Sequence, residues 1–231
     1  MKQYWKNLFF IHYAIPKDLV EEILPPNILC DSLNGKSYLG VVGFTMQKTS
    51  LAKFPYFSYP PFHELNLRTY VKLQGGKKAV YFFSLDANSR IAVFLARQVF
   101  KLNYFYSPIS YSVEGNVGEM KACLDSSSIS VHKFEIGEDI LTDPTAEFLV
   151  ERYHFITKKN NTYYTGHLRH IPYRLRRIYI RKTDLLLTNR VSISEDDLNF
   201  FEKGCYYCPG FEVEVASFSR EVLPNLVSEN K

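Results

Sequence analysis

The chain has 231 residues, 46% of them apolar, which is enough material for a sizeable core and ordinary for a barrel or sandwich. Its 17 Tyr and 18 Phe favour strands, while a formal charge of only +4 speaks against a dedicated nucleic-acid binder. No stretch approaches the roughly 20 apolar residues of a membrane span, and the N-terminal run lacks the pattern of a secretory leader. A cytoplasmic protein with reduced thiols is expected, organised as one domain over residues 1–231.

In chain order, residues 5–13 are dense in aromatic and aliphatic side chains and read as a buried strand. A short helix follows over 18–24 and stops at Pro25-Pro26. Asn34-Gly35 marks a turn, 36–49 a long strand, and the Pro/Tyr/Phe-rich 54–62 an irregular loop. Two strand-like runs, 63–74 and 77–86, then flank Gly75-Gly76, the pattern of a hairpin with a two-residue turn. Asn88 or Ser89 caps a helix running to about Leu102. Further strands are expected at 110–115, 117–125, 128–136, 153–158, 162–169, 175–181 and 211–218, with helices at 145–152 and 195–201. This order predicts a mainly β or α+β domain of mostly antiparallel strands with a few short helices.

The hairpin carries the most chemistry. Strand side chains alternate faces, so Glu64, Asn66, Arg68 and Tyr70 share one. With a two-residue turn, Tyr70 faces Tyr81, Arg68 faces Phe83 and Asn66 faces Leu85. Both faces are then largely apolar, and a polar stripe inside such a setting calls for partners or a hydrated pocket. The ligand-binding residues expected are Glu64, Asn66, Arg68, Tyr81, Phe83, Arg97, Tyr104 and Arg152. Arg68 or Arg97 would hold an anionic small molecule. Arg152 reads either as an anion clamp or as half of a structural ion pair.

Other motifs carry less. Cys205-Tyr206-Tyr207-Cys208 is a lone CxxC followed by Pro209-Gly210, hence a turn with packing cysteines rather than a redox or zinc site. The six histidines show no ligand spacing, and no nucleophile elbow or phosphate loop is present, so neither metal nor cofactor is called for. The basic run over 169–182 could contact a polyanion or nucleic acid, but such a run is more often a solvated strand edge.

Several segments together resemble the YqjF-like family of uncharacterised proteins (domain of unknown function 2071). They are Phe62-His63-Glu64-Leu65-Asn66-Leu67-Arg68-Thr69-Tyr70-Val71, Val80-Tyr81-Phe82-Phe83-Ser84-Leu85-Asp86-Ala87, Ala96-Arg97, Leu102-Asn103-Tyr104-Phe105, Glu151-Arg152-Tyr153 and His170-Ile171-Pro172-Tyr173. That family is similar in fold to acetoacetate decarboxylase, which implies a closed, cone-like β-barrel with flanking helices and an interior pocket. The decarboxylase uses a lysine imine, its pKa lowered by a second lysine. Here Arg97 matches the Arg of that helix motif and Gln98 replaces its Glu. Tyr104 and Phe105 stand where the two lysines would be, and Lys101 lies three residues early. Glu64 matches one pocket carboxylate, and the other is replaced by an apolar residue near Val42. An aromatic ring forms no imine. The resemblance therefore implies a small-molecule barrel without Schiff-base decarboxylation, or an enzyme using Glu64 and Tyr104 as an acid–base pair.

Overall fold

The computed structural model describes residues 1–51 and 54–221. In chain order the strands and helices are β1 (Lys2–Ile15), α1 (Lys17–Ile23), β2 (Leu29–Cys30), β3 (Ser37–Leu51), β4 (Phe54–Tyr59), β5 (Phe62–Lys72), β6 (Lys78–Ala87), α2 (Arg90–Val99), β7 (Tyr104–Tyr106), β8 (Ile109–Glu114), β9 (Val117–Cys123), β10 (Ile129–Asp139), α3 (Pro144–Val150), β11 (His154–Lys159), β12 (Thr162–Arg169), β13 (Arg176–Lys182), β14 (Asn199–Phe200) and β15 (Tyr206–Glu221). Seven strands close into a barrel in the order β1-β3-β5-β6-β11-β12-β15 and back to β1. All pairs around it are antiparallel except β6–β11. A wing of β8, β9, β10 and β13 joins β15 through Arg176–Tyr207 and Arg177–Tyr206 and packs on the barrel's outer face.

The period of two along β1 builds both cores at once. Leu8 and Phe10 point into the barrel, while Phe9 and Ile11 point to the layer between barrel and wing. Three cross-strand pairs set a glycine against a phenylalanine: Phe9–Gly43, Gly118–Phe134 and Phe155–Gly166. In each the ring lies over the glycine, so that a Cβ there would overlap it. Gly118→Ala is accordingly expected to cost about 1–3 kcal/mol by overpacking. An unchanged urea midpoint would refute that.

The helix ends have local causes. In α2 the Ser89 side chain accepts from Ala92 N at 3.2 Å, and in α3 Asp143 accepts from Thr145 N at 2.9 Å with Pro144 opening the helix. α1 ends at the Pro25-Pro26 stop.

Several expectations are corrected. Residues 54–59 form a strand against β3 rather than a loop. The helix expected at 195–201 is a single 3-10 turn, Glu195–Asp197, followed by β14, which pairs with β1. Cys208 lies inside β15, not in a turn, and points into the barrel, while Cys205, just before the strand, packs in the outer core; burial pushes the Cys205 thiol up to about 12 and the Cys208 thiol up to about 11. The hairpin turn holds three residues, Gln74–Gly76, with Gly75 and Gly76 both at φ 74°. Positive φ is what makes glycine the residue for this turn.

That extra residue moves the register by one. Tyr70 pairs with Val80, Thr69 with Tyr81 and Arg68 with Phe82. A bulge at Phe83 then restores the expected pairing, Asn66 with Leu85 and Glu64 with Ala87. Phe82 therefore faces the barrel interior, whereas Tyr81 and Phe83 face the outer core, their rings edge to face at 5.3 Å. Neither forms a wall of an interior pocket, as the two-residue turn had led one to expect.

Candidate functional site

The barrel interior holds a cavity of about 300 Å³. One side is formed by β1, β3 and β5 through Trp5, Phe44, Met46, Phe62 and Glu64, and α2 covers the other through Ala92, Leu95, Ala96 and Val99. Phe82, Leu85, Tyr104 and Phe155 complete the floor. Trp5 stacks on Phe44 with centroids 4.8 Å apart, and Phe82 lies 6.0 Å from Phe155.

Glu64 is the carboxylate on this lining, 3% exposed. Its Oε2 accepts from the Tyr104 hydroxyl at 2.6 Å and its Oε1 from Asn66 Nδ2 at 3.2 Å. Tyr104 reaches it because β7 runs parallel to β6, with Leu85 N donating to Asn103 O at 3.0 Å. Burial lifts the Glu64 carboxyl to about 7, with Asp86 adding to the rise and the two hydrogen bonds opposing it. Burial, then the Glu64 charge, holds the Tyr104 hydroxyl well above its ordinary value, so it serves as a donor. Tyr104→Phe is expected to raise the Glu64 midpoint further, since it removes the stronger bond to the charged form. Carbon-13 NMR titration of glutamate would read this, and a fall would contradict it.

The arginines lie elsewhere. Arg68 is buried and donates to Leu149 O at 3.2 Å, its guanidinium 5.4 Å from the Phe10 ring centre. Arg97 is exposed on α2 and caps the Tyr104 carbonyl at 2.6 Å. Arg152 donates to Asp31 Oδ2 and to Phe148 O, both at 2.7 Å, which answers in favour of the structural ion pair. None of the three is on the cavity lining. Lys101, on the surface, donates to Gln98 O at 2.5 Å. Three arginines of the basic run have partners: Arg176 bonds Gly137 O and pairs with Asp139, Arg177 with Asp143 and Arg181 with Glu135. His167 stacks on His154 across β11–β12 at 4.5 Å, and no cluster of three or more metal-type ligands exists among the described residues.

Sequence reasoning missed most of the apolar wall. Trp5 and Phe44 sit on strands it had placed, but nothing local says which strands close the barrel. Phe82 was assigned to the wrong face by the turn length.

The sequence model of DUF2071, described as an uncharacterized conserved protein, matches residues 2–212. This chain belongs to the DUF2071 family. The DUF2071 chain is 30% identical over 186 residues to the uncharacterized protein YqjF of Bacillus subtilis (strain 168), covering 76% of this chain and 74% of that one. Its fold is that of the acetoacetate decarboxylase group. Acetoacetate decarboxylase from Legionella pneumophila superposes with a TM-score of 0.68 at 12% identity, over 96% of this chain and 87% of that one. The enduracididine biosynthesis enzyme MppR, solved with pyruvate, gives 0.65 at 8% identity, over 97% and 90%. An acetoacetate decarboxylase-like enzyme from Sphingomonas wittichii RW1 gives 0.63 at 9% identity, over 96% and 93%. At such identities the likeness concerns the fold. No helix among the described residues is long and apolar enough to cross a membrane.

Proposed function

We propose that this DUF2071 protein binds a small, largely apolar organic molecule inside its barrel, anchored by Glu64 and Tyr104, without imine chemistry. The observation that carries the reading is the cavity itself: about 300 Å³, walled by apolar and aromatic side chains, with one hydrogen-bonded carboxylate–phenol pair facing it. Pockets of that make-up fix a ligand through few polar contacts and bury the rest. One protein of similar fold, MppR, was solved with pyruvate, which supports a small-molecule reading without carrying over that ligand or its position.

The anionic ligand expected from the sequence loses its support, because Arg68 and Arg97 are bonded to the Leu149 and Tyr104 carbonyls, away from the lining. A second reading keeps Glu64 as a general base and Tyr104 as a proton donor on a carbonyl compound. It is favoured by a carboxyl that titrates near neutrality, where proton transfer in both directions is accessible.

A thermal-shift screen of apolar compounds of roughly 8–15 heavy atoms tests the binding. The wild type should be stabilised by hits that Ala96→Trp, which fills the cavity from α2, no longer recognises. If no compound stabilises the wild type, or if Ala96→Trp responds to the same ones, the pocket reading falls.

A further inference from the structure

We infer that the pocket takes a hydrophobic organic cation, an alkyl- or arylalkylamine whose ammonium sits against the Glu64 carboxylate inside a ring of aromatic side chains. This rests on the pocket reading above and adds the sign of the ligand's charge.

The charge balance of the lining points that way. Among the described lining residues the ionisable side chains are Glu64, Tyr59 and Tyr104, and none is cationic. Met1 also lines the cavity, its ammonium donating to Val215 O at 3.4 Å. Glu64 is thus a desolvated carboxylate with hydrogen bonds but no ion pair to a side chain of the described lining, and Asp86, the other acid that acts on it, is itself paired with Arg190 at 2.6 Å. A buried carboxylate is costly until a cation compensates it. A carboxylate offers about four acceptor sites, and Tyr104 and Asn66 occupy two, leaving room for an ammonium.

The aromatic wall points the same way. Trp5, Phe44, Phe62, Phe82, Tyr104 and Phe155 surround the cavity. A ring that turns its face to a cavity attracts an ammonium group through its negative potential. Carboxylate and rings therefore act on the same sign of charge. A ligand carboxylate would meet the ionised form of Glu64 as a like charge, and a neutral ligand would leave that form unanswered. The apolar residues of α2, Leu95 and Val99, sit where an aliphatic or aryl tail would lie.

Calorimetric titration of matched primary amines, alcohols and carboxylates on two- to six-carbon phenylalkyl chains tests this. At pH 8 the wild type should bind the best amine at least tenfold more tightly than its alcohol, with the carboxylate weakest. Glu64→Gln should bring amine and alcohol within threefold of each other while still binding the alcohol. In the wild type, amine affinity should fall about tenfold from pH 8 to pH 6 as a carboxyl near 7 takes up its proton, and alcohol affinity should stay level. That arm stands even if the Gln variant does not fold. An alcohol bound as tightly as its amine, or a carboxylate bound more tightly, overturns the cation while leaving the pocket intact. Binding of none of the three classes overturns the pocket reading with it.

Discussion

Arg152→Ala is expected to destabilise the protein by about 3–5 kcal/mol. The Arg152 and Asp31 side chains are 0% and 2% exposed, and their bond is 2.7 Å long. The same guanidinium donates to Phe148 O and lies 4.3 Å from the Phe148 ring centre and 5.1 Å from that of Tyr70. It thereby ties α3 and the barrel interior to the segment after β2. Removing it leaves Asp31 buried with only Lys72, itself half-exposed, at 3.1 Å. Losing one member of a buried pair costs more than the pair contributes, because the other charge remains desolvated. Arg152→Lys should recover little, since an ammonium cannot span both Phe148 O and Asp31 as the planar fork does. Urea unfolding would measure both, and a loss under about 1 kcal/mol for Arg152→Ala would contradict the assignment.

The second large effect is acid lability, carried by two fully buried histidines. His12 Nδ1 faces the carbonyl of Gly204 and must donate to it, so Nε2 accepts from the Tyr70 hydroxyl at 2.5 Å. Around His132 the order of donors also follows. Ser130 donates to Asp184 at 2.7 Å, so His132 Nε2 donates to Ser130 at 3.0 Å and Nδ1 accepts from Thr183 at 2.9 Å. Each ring is neutral and satisfied. Burial depresses them to about 3 and about 4, against 6.5 when unfolded.

Between 6.5 and those values the unfolded chain binds protons that the folded one does not, so stability drains away as the pH falls. Glu64 works in the opposite sense: it titrates near 7 folded and 4.5 unfolded, so acidification from 7 to 4.5 favours the fold, and the raised Asp86 carboxyl acts likewise. Stability should therefore fall from about pH 6.5 by roughly 1.4 kcal/mol per unit while Glu64 offsets one of the two histidines, fall faster in the short span from 4.5 to 4 where that offset has ended, and level off near pH 3. Each unit of histidine shift is worth about 1.4 kcal/mol, so the full loss is on the order of several kcal/mol. Urea midpoints at pH 7, 5.5, 4.5 and 3.5 would show the break. His132→Gln should flatten the fall between pH 6.5 and 4, and an unaltered profile there would remove His132 from the account.

Much of this architecture is legible in one dimension. Alternation along 62–72 puts Glu64, Asn66, Arg68 and Tyr70 on one side, because a strand's period of two is a local property of the backbone. Pro25-Pro26 and Ser89 mark helix ends for equally local reasons. The family resemblance carried the barrel and singled out Glu64 and Tyr104, while the residues by themselves offered no reason for those two to meet. They are 40 positions apart and touch only because β7 lies beside β6.

What stayed hidden depends on distant or cumulative geometry. One extra residue in the turn after Leu73, undone by a bulge at Phe83, exchanges Tyr81 and Phe83 for Phe82 on the interior wall. No pattern in 77–86 announces it, since both faces are apolar. Arg152 finds Asp31 across 121 residues, and Arg97 ends on the surface although its motif pointed at the pocket. The hairpin's chemistry was therefore set locally as a stripe of polar groups, but which of them meets the cavity depended on closure of the barrel. Closure kept Glu64 at the wall and bonded Arg68 to Leu149 instead.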